Sequence, residues 1–217
     1  MKQSIKVFIT NIDDFNNIEL NKYIKNLSVY LQRDISRYKR YEDRLRSLLG
    51  KLLLQKIIDM LQLNITLHDM KYNEFKKPYF ESEFCFNISH SNKYVVCAIS
   101  YEDVGIDIEE IKEINLNDFK SVIDKSELEQ IENSKDKYRE FYKVWTAKEA
   151  LLKLEGKGFF EEEKVTLLDN KLFFKEKEYW YETFDYDNYL FYISSKKKKK
   201  IETVYLNSND ILNISTR

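Results

Sequence analysis

The 217-residue sequence combines 36 basic with 37 acidic side chains, and 43% of its residues are hydrophobic. A net charge of −1 excludes a strong overall attraction to nucleic acid or to an anionic membrane. No apolar run approaches the roughly 18 residues of a membrane span, and the first residues lack the apolar core of a signal peptide. Two cysteines are too few for a disulfide framework. We therefore expect a cytoplasmic protein without a nucleic-acid or membrane partner.

Predicted helices and short strands alternate along the whole chain. Apolar residues at helical spacing predict helices at 18–32, 40–61, 117–133 and 136–155. Alternating or continuous apolar runs predict strands at 5–10, within 84–100, at 104–111 and in a meander from 164 to the C-terminus. Each half of the chain thus contains a helix followed by a strand, a turn and a strand. This order predicts an α+β fold and hints at two similar halves.

Two carboxylates stand on one face of the strand predicted at 104–111, whose sequence is VGIDIEEI. Strand alternation places Val104, Ile106 and Ile108 on one side, and Asp107 and Glu109 on the other, about 7 Å apart. Such a pair suits Mg²⁺, which prefers oxygen ligands, although acids on the wet face of an ordinary strand give the same pattern. Gly105, beside the pair, leaves room for a ligand to approach the backbone.

Several polar and basic residues in the first half could bind phosphate groups. The segment FNISHS places Ser89, His90 and Ser91 at the end of an apolar strand, where a histidine with flanking hydroxyls in a turn can hydrogen-bond a phosphate. Lys77 precedes the only proline, Pro78, and Arg46 lies in a basic stretch near a helix start. Each of these residues also fits an ordinary solvated surface, and a phosphate site needs several of them together.

The helix predicted at 136–155 places Lys148 in the middle of its apolar stripe. A buried ammonium needs an anionic partner, either a bound phosphate or a structural carboxylate. Glu149 and Lys153 line the flank of the stripe, four residues apart, and Glu149 could join Asp107 and Glu109 as a third metal ligand. Gly156 and Gly158 are predicted to end the helix. Taken together, these segments indicate a Mg²⁺ site that handles polyphosphate.

The segments FNISHS, VGIDIEEI and FYKVWTAKEALLKLEGKGF, in this order, resemble 4'-phosphopantetheinyl transferases of the surfactin-synthetase-activating type. The resemblance covers about residues 37–160 and includes the KKP and EDRLRSLLG segments. It implies a pseudodimer of two α+β halves, 1–103 and 104–217, each with a helix packed on a small, mainly antiparallel sheet. The active site would lie in the cleft between the halves, and the protein would be a monomer.

The same resemblance implies a reaction and a set of site residues. The arm of coenzyme A would move to a serine of an apo acyl or peptidyl carrier protein, with release of 3',5'-ADP and with Mg²⁺, or Mn²⁺, as cofactor. By matched position, the metal ligands would be Asp107, Glu109 and Glu149. The coenzyme A contacts would be Arg46, Lys77, Ser89, His90, Lys148 and Lys153. The carrier serine needs a base, for which Glu149 is the first choice and Glu127 the second.

One departure from the family concerns the 3'-phosphate of coenzyme A. Where the family often carries lysines before the first long helix, this sequence has Leu31, Gln32, Arg33 and Asp34, so that Arg33 or Arg37 would have to substitute. The lysine run 196–200 is predicted to be a solvated hairpin tip outside the active site.

Two other functions are considered as alternatives to the transferase. They are a Mg²⁺-dependent nuclease and a non-catalytic module that binds coenzyme A or a carrier.

Overall fold

The computed structural model describes residues 4–16, 18–119, 122–156 and 165–213. The strands are β1 (Ser4–Asn11), β2 (Lys71–Tyr72), β3 (Pro78–Tyr79), β4 (Cys85–Ser91), β5 (Tyr94–Ser100), β6 (Gly105–Glu110), β7 (Val165–Leu168), β8 (Lys171–Phe174), β9 (Lys177–Tyr186), β10 (Tyr189–Ser195) and β11 (Lys200–Tyr205). The helices are α1 (Leu20–Ile24), α2 (Val29–Ser36), α3 (Tyr41–Met60), α4 (Lys125–Asn133), α5 (Lys137–Glu155) and α6 (Ser208–Leu212). The predicted α+β class is confirmed. No helix in the described part of the chain is both long enough and apolar enough to cross a membrane.

Two sheets form the body of the fold. The first has the strand order β11-β1-β5-β4, in which β1 and β11 are parallel and the other pairs antiparallel. The second has the order β6-β10-β9-β8-β7 and is antiparallel throughout. The long helix α3 packs on β4 and β5, and the long helix α5 packs on β6 and β10. Each sheet therefore has one long helix on its outer face.

Alternation along the central strands separates three apolar cores. In β5, Val95 and Cys97 face α3, whereas Val96 and Ala98 face the second sheet. In β6, Ile106 and Ile108 face the first sheet, as the alternation predicts. The two sheets thus pack face to face through their apolar sides, with the helices outside. The remaining face of β6, which carries the acids, is turned toward α5.

The C-terminal residues return to the first sheet. β11 pairs in parallel with β1, from Ser4 opposite Lys200 to Ile9 opposite Tyr205, and Ile211 of α6 lies in the core under α3. The prediction of a hairpin tip at 196–200 is therefore wrong, because β10 and β11 belong to different sheets and 196–199 connects them. The division into 1–103 and 104–217 stays a prediction. Residues 200–212, which belong to the second range, pack on the sheet formed by the first range.

Helix boundaries follow the sequence closely where strong end signals exist. The prediction of 40–61 and 136–155 is confirmed by α3 and α5, and Gly156 ends α5 in the left-handed region at φ 71°. The stretch predicted as one helix at 18–32 is instead two helices, α1 and α2, with Ser28 capping the second through Leu31 N. Gly158, predicted as a second helix-end glycine, lies outside the described residues.

Candidate active site

The first unit of the fold contains the sheet β11-β1-β5-β4, and the second contains the sheet β6-β10-β9-β8-β7. Polar side chains of β4 contact β6 where the two strands run side by side, and we call this contact the seam. Asn87 Oδ1 accepts a hydrogen bond from Ile106 N at 3.0 Å, which ties the start of the seam to the backbone of β6. Ser89 Oγ then donates to Asp107 Oδ1 at 2.7 Å. Every second residue of β4 therefore faces β6, since side chains alternate along a strand. The acid-bearing face of β6 is fixed by hydroxyl and amide groups of the other unit.

α5 crosses directly over the seam because Gly105 has no side chain. A Cβ at this position would lie 1.9 Å from Ala150 O and 2.6 Å from Leu154 N, so that any larger residue would push the helix away. The room at Gly105 serves the backbone of α5, and the prediction that a ligand uses it is wrong. This close approach places Lys153 Nζ 2.6 Å from Asp107 Oδ1 and 2.9 Å from Ser89 Oγ.

A cavity of about 440 Å³ opens above the seam. It brings together seven of the predicted site residues: Arg46, Ser89, His90, Asp107, Glu109, Glu149 and Lys153. The other wall residues come from α2, α3 and the β2–β3 hairpin with its flanking residues: Tyr30, Asp34, Arg37, Tyr38, Ser47, Gly50, Lys51, Met70, Tyr72, Lys76 and Pro78, with Phe86 and Ile88 at the base of β4. Residues from β4 and α3 and residues from β6 and α5 therefore line one polar cleft.

Three carboxylates share the cleft, and burial, together with their mutual repulsion, raises the pKa of two of them. Burial, with Asp107 nearby, raises the pKa of Glu109 to about 7, against the lowering effect of Ser91 and Lys153. Burial also raises the pKa of Glu149 to about 7, against the lowering effect of Lys153 and with a smaller contribution from repulsion by Asp107 and Glu109. Burial alone would lower the pKa of Lys153, but these acids raise it above its ordinary value. The three carboxylates, when ionised, therefore carry more negative charge than the single ammonium of Lys153 neutralises.

The acid cluster fits a divalent cation in its chemistry. Asp107 Oδ2 is buried and has no hydrogen-bond partner, which is costly for a carboxylate oxygen unless something else satisfies it. All three acids offer the oxygen donors that Mg²⁺ prefers. In their present positions, no three His, Cys, Asp or Glu side chains of the described residues lie close enough together to hold a metal ion. Lys153 takes the other oxygen of Asp107, so a cation would have to share this carboxylate with the ammonium.

Basic side chains cluster at the end of the cleft that α2 and α3 form. Asp34 holds Lys51 Nζ at 2.8 Å and Arg37 at 3.3 Å. Arg46 donates to Asn92 O at 2.7 Å and also pairs with Asp43. These contacts leave more positive than negative charge at this end, where a phosphate could bind.

The histidine of FNISHS faces the same space. His90 is an exposed residue, yet desolvation by its surroundings, with Lys153 and Arg46 nearby, lowers the pKa of its imidazole. A neutral imidazole can still donate a ring N–H to a phosphate, and the phosphate would favour its protonation.

Lys148 and Glu127 are not in the cleft but pair with each other. Lys148 Nζ lies 2.5 Å from Glu127 Oε2, and the two side chains are 5% and 0% exposed. Lys148 also donates to Val122 O at 3.1 Å, and Glu127 accepts from Leu167 N and Asp124 N, both at 2.9 Å. The sequence left two possible partners for Lys148, and the structure supplies the carboxylate. The predicted roles of Lys148 toward phosphate and of Glu127 as a base conflict with this geometry.

Lys77 is also turned away from the cleft. Its ammonium donates to Leu154 O at 2.9 Å, at the C-terminal end of α5, where the last carbonyl groups lack helical partners. Burial lowers the pKa of Lys77, and the residue lines a separate cavity of about 420 Å³ on the other side of Pro78. Its exposed neighbour Lys76, with a left-handed φ of 65°, lines the main cleft instead.

Two residues of the site, Lys51 and Trp145, were missed by sequence reasoning, and Ser91 was considered only as a phosphate contact. Lys51 follows Gly50 on α3 and looks like any exposed helix lysine, because its partner Asp34 is 17 residues away. Ser91 donates to Glu109 Oε2 at 2.9 Å, and Trp145 also hydrogen-bonds this carboxylate. The only available signal for Ser91 was its two-residue spacing from Ser89, which puts both hydroxyls on one face of a strand.

The comparisons with known proteins place the chain in a family. The sequence profile of the 4'-phosphopantetheinyl transferase superfamily matches residues 103–194, and that of the N-terminal part of 4'-phosphopantetheinyl transferases matches 16–102. The two profiles meet at the link between β5 and β6, next to the seam. The class defined by this fold and site is therefore the 4'-phosphopantetheinyl transferase superfamily, and the chain belongs to it, as the sequence predicts.

Curated relatives agree with this assignment. The 4'-phosphopantetheinyl transferase gsp of Aneurinibacillus migulanus is 34% identical over 158 residues, which are 71% of this chain and 66% of that protein. Sfp of Bacillus subtilis is 33% identical over 147 residues, 64% of this chain and 65% of that protein. Psf-1 of Bacillus pumilus is 30% identical over 172 residues, 71% of this chain and 70% of that protein. The chain spans about two thirds of the length of each relative.

Proposed function

We propose that this protein transfers the 4'-phosphopantetheine arm of coenzyme A to a serine of an apo acyl or peptidyl carrier protein, with Mg²⁺ or Mn²⁺. The supporting observation is the single cleft that holds three carboxylates over the seam and a cluster of cations at the end formed by α2 and α3. Coenzyme A carries a pyrophosphate and a separate 3'-phosphate, so it needs two anion sites of this kind in one cleft. The relatives are named 4'-phosphopantetheinyl transferases, and this name supports a transfer of the phosphopantetheine arm.

The pyrophosphate is proposed to lie over Asp107, Glu109 and Glu149. These three acids would hold the cation, which would act as a Lewis acid on the pyrophosphate oxygens. Lys153, already beside Asp107, is placed to neutralise charge on the leaving group as the P–O bond breaks. His90 and Arg46 line the same wall and would bind the nucleotide end.

In the proposed transfer, the carrier serine Oγ attacks the β-phosphorus of coenzyme A. The bond between this phosphorus and the bridging oxygen breaks, and 3',5'-ADP leaves with the electron pair. The serine proton would pass to Glu149, whose carboxylate lines the same cleft, either directly or through a metal-bound water. Glu127, the second choice of base, is wholly buried and fully hydrogen-bonded, so we do not retain it.

The 3'-phosphate is proposed to bind Lys51 and Arg37 rather than the upstream lysines that the family often carries. Asp34 stands in that upstream stretch and receives Lys51 from the facing helix. A phosphate dianion would compete with Asp34 for both cations, because phosphate offers more charge and more acceptor oxygens. Arg33, the other substitute considered from the sequence, does not line the cleft.

The finer structural predictions are retained as part of this proposal. A pseudodimer is supported by the two units, each with a long helix on a sheet, that meet at β4 and β6. Both units line the cleft, so a single chain supplies both of its walls and a monomer suffices. The cytoplasmic location and the lack of nucleic-acid or membrane partners stay predictions from composition.

The proposed function is tested by incubating the protein with coenzyme A, Mg²⁺ and an apo carrier protein. The expected result is a carrier mass increased by one phosphopantetheine arm, with one 3',5'-ADP released for each arm transferred. A carrier in which the acceptor serine is replaced by alanine is the control and should gain no mass. Tight binding of coenzyme A without any mass gain would instead indicate a non-catalytic binding module, and the proposal would be rejected.

A further inference from the structure

The hydroxyl of Ser91 is oriented by two contacts across the seam. Its oxygen accepts a hydrogen bond from Glu110 N at 3.1 Å, and its proton is donated to Glu109 Oε2 at 2.9 Å. A serine hydroxyl has only one proton, so the backbone N–H and the carboxylate together fix the direction of the O–H bond. Ser91 thus reaches from β4 of the first unit to an acid of the second unit.

Glu109 differs from Asp107 in how much of its position depends on such contacts. Asp107 is 3% exposed and is held by both Ser89 and Lys153. Glu109 is only half-buried on a longer side chain, and its hydrogen-bond donors are Ser91 and Trp145. A longer, less enclosed carboxylate has more rotamers to lose, so its orientation depends more strongly on its donors.

We infer that Ser91 is a positioning residue, which orients the Glu109 carboxylate of the second unit for a divalent cation. This inference rests on the proposed function, because it gives Glu109 the role of a metal ligand. Ser91 is not among the residues that line the cleft, so its hydroxyl would act on the cation only through Glu109. Hydrogen bonds that orient metal ligands typically change metal affinity by about 10–100-fold when they are removed.

The direct test measures Mn²⁺ binding by electron paramagnetic resonance, with coenzyme A present and no carrier. Ser91→Ala should weaken Mn²⁺ binding about ten-fold or more. Ser91→Thr should stay close to the parent, because it keeps the hydroxyl and a β-branched residue suits a strand. In transfer assays, Ser91→Ala should need correspondingly more Mg²⁺ and should regain much of its rate at saturating Mg²⁺.

Ser194→Ala is the matched control for the loss of a serine hydroxyl. Ser194 is buried on β10 and donates to Ala150 O at 2.8 Å, without contact to the acids. This variant should keep the parent's affinity for Mn²⁺, although its thermal midpoint should fall as far as that of Ser91→Ala, or further. If Ser91→Ala does not fold, Ser91→Thr and Ser91→Val give the same comparison, because both side chains are β-branched and only threonine has the hydroxyl.

Unchanged Mn²⁺ affinity in Ser91→Ala, or in Ser91→Val, would overturn the inference. An equal loss of affinity in Ser91→Ala and Ser194→Ala would also overturn it, since the cause would then be general destabilisation. Failure of the proposed function is recognised separately: the parent itself would transfer no arm. If the parent transfers the arm and Ser91→Ala keeps the parent's Mn²⁺ affinity, only the role of Ser91 is rejected.

Discussion

Replacing Lys148 by methionine should cost folding stability while leaving the chemistry of the remaining folded protein intact. The change removes the ammonium that faces Glu127, whose side chain is 0% exposed, and frees Val122 O. Loss of one partner of a buried ion pair costs about 3–5 kcal/mol, because the other charge stays buried. Two backbone N–H groups still bond Glu127, which favours the lower end of this range.

The assay combines thermal unfolding with steady-state kinetics at low temperature. In a chain of this size, each kcal/mol lowers the thermal midpoint by roughly 2–4 °C, so a fall of about 10 °C is expected. Lys143→Met is the matched control on the same helix: Lys143 pairs with Glu140 at 3.0 Å and is 38% exposed. Exposed pairs of this kind are worth about 0–1 kcal/mol.

A double variant separates the pair from other effects of losing Lys148. Lys148→Met combined with Glu127→Gln should be more stable than the sum of the single losses implies, by about 0.5–3 kcal/mol, since no uncompensated charge is then buried. The reasoning is refuted if Lys148→Met keeps the parent's unfolding midpoint but loses transfer and coenzyme A affinity. That result would mean that Lys148 binds a phosphate, as the family resemblance implies.

Three further predictions concern the cleft and the lysine run. Lys51→Ala should raise the KM for coenzyme A about ten-fold, the effect of one charged hydrogen bond, and should leave the KM for 3'-dephospho-coenzyme A unchanged; equal effects on both donors would contradict it. The pKa values of Glu109 and Glu149, raised from 4.5 to about 7, mean that the metal-free protein loses stability as pH rises from about 4.5 to 7, and that protons compete with the cation below 7. Mg²⁺ should therefore raise the thermal midpoint more at pH 8 than at pH 6, and an equal or opposite effect would refute the assignment. Replacing Lys196–Lys200 by serine should keep turnover within a few-fold, and a collapse in coenzyme A affinity would overturn this.

Local patterns in the sequence were sufficient to predict the parts of the site that lie on one element. Alternation in VGIDIEEI placed Asp107 and Glu109 on the face away from the apolar core, and helical spacing placed Glu149 and Lys153 together. Gly156 predicted the end of α5 because few other residues adopt its left-handed conformation at low cost. These inferences depend only on the periods of a strand and of a helix.

Contacts between distant segments were beyond the reach of these patterns. Nothing near Lys148 in sequence identifies Glu127 as its partner, and a phosphate would satisfy the same ammonium. Lys77, which precedes Pro78, was a candidate phosphate ligand, yet its ammonium hydrogen-bonds a carbonyl group at the end of α5. The parallel pairing of β11 with β1 brings together residues about 196 positions apart, as with Ser4 and Lys200, and a meander read from local turns gives no sign of it.

The central claim is that the acids over the seam are where the cation and the pyrophosphate meet, and Asp107→Asn tests this most directly. Asparagine keeps the size of the side chain but removes the charge that a hard cation requires. Coenzyme A binding should be titrated calorimetrically with and without Mg²⁺, and arm transfer should be followed by carrier mass, on parent and variant. We predict nearly abolished transfer, a smaller loss of coenzyme A affinity in the absence of Mg²⁺, and a reduced enhancement of binding by Mg²⁺. Full transfer, or the parent's full Mg²⁺ enhancement, in Asp107→Asn would contradict the account.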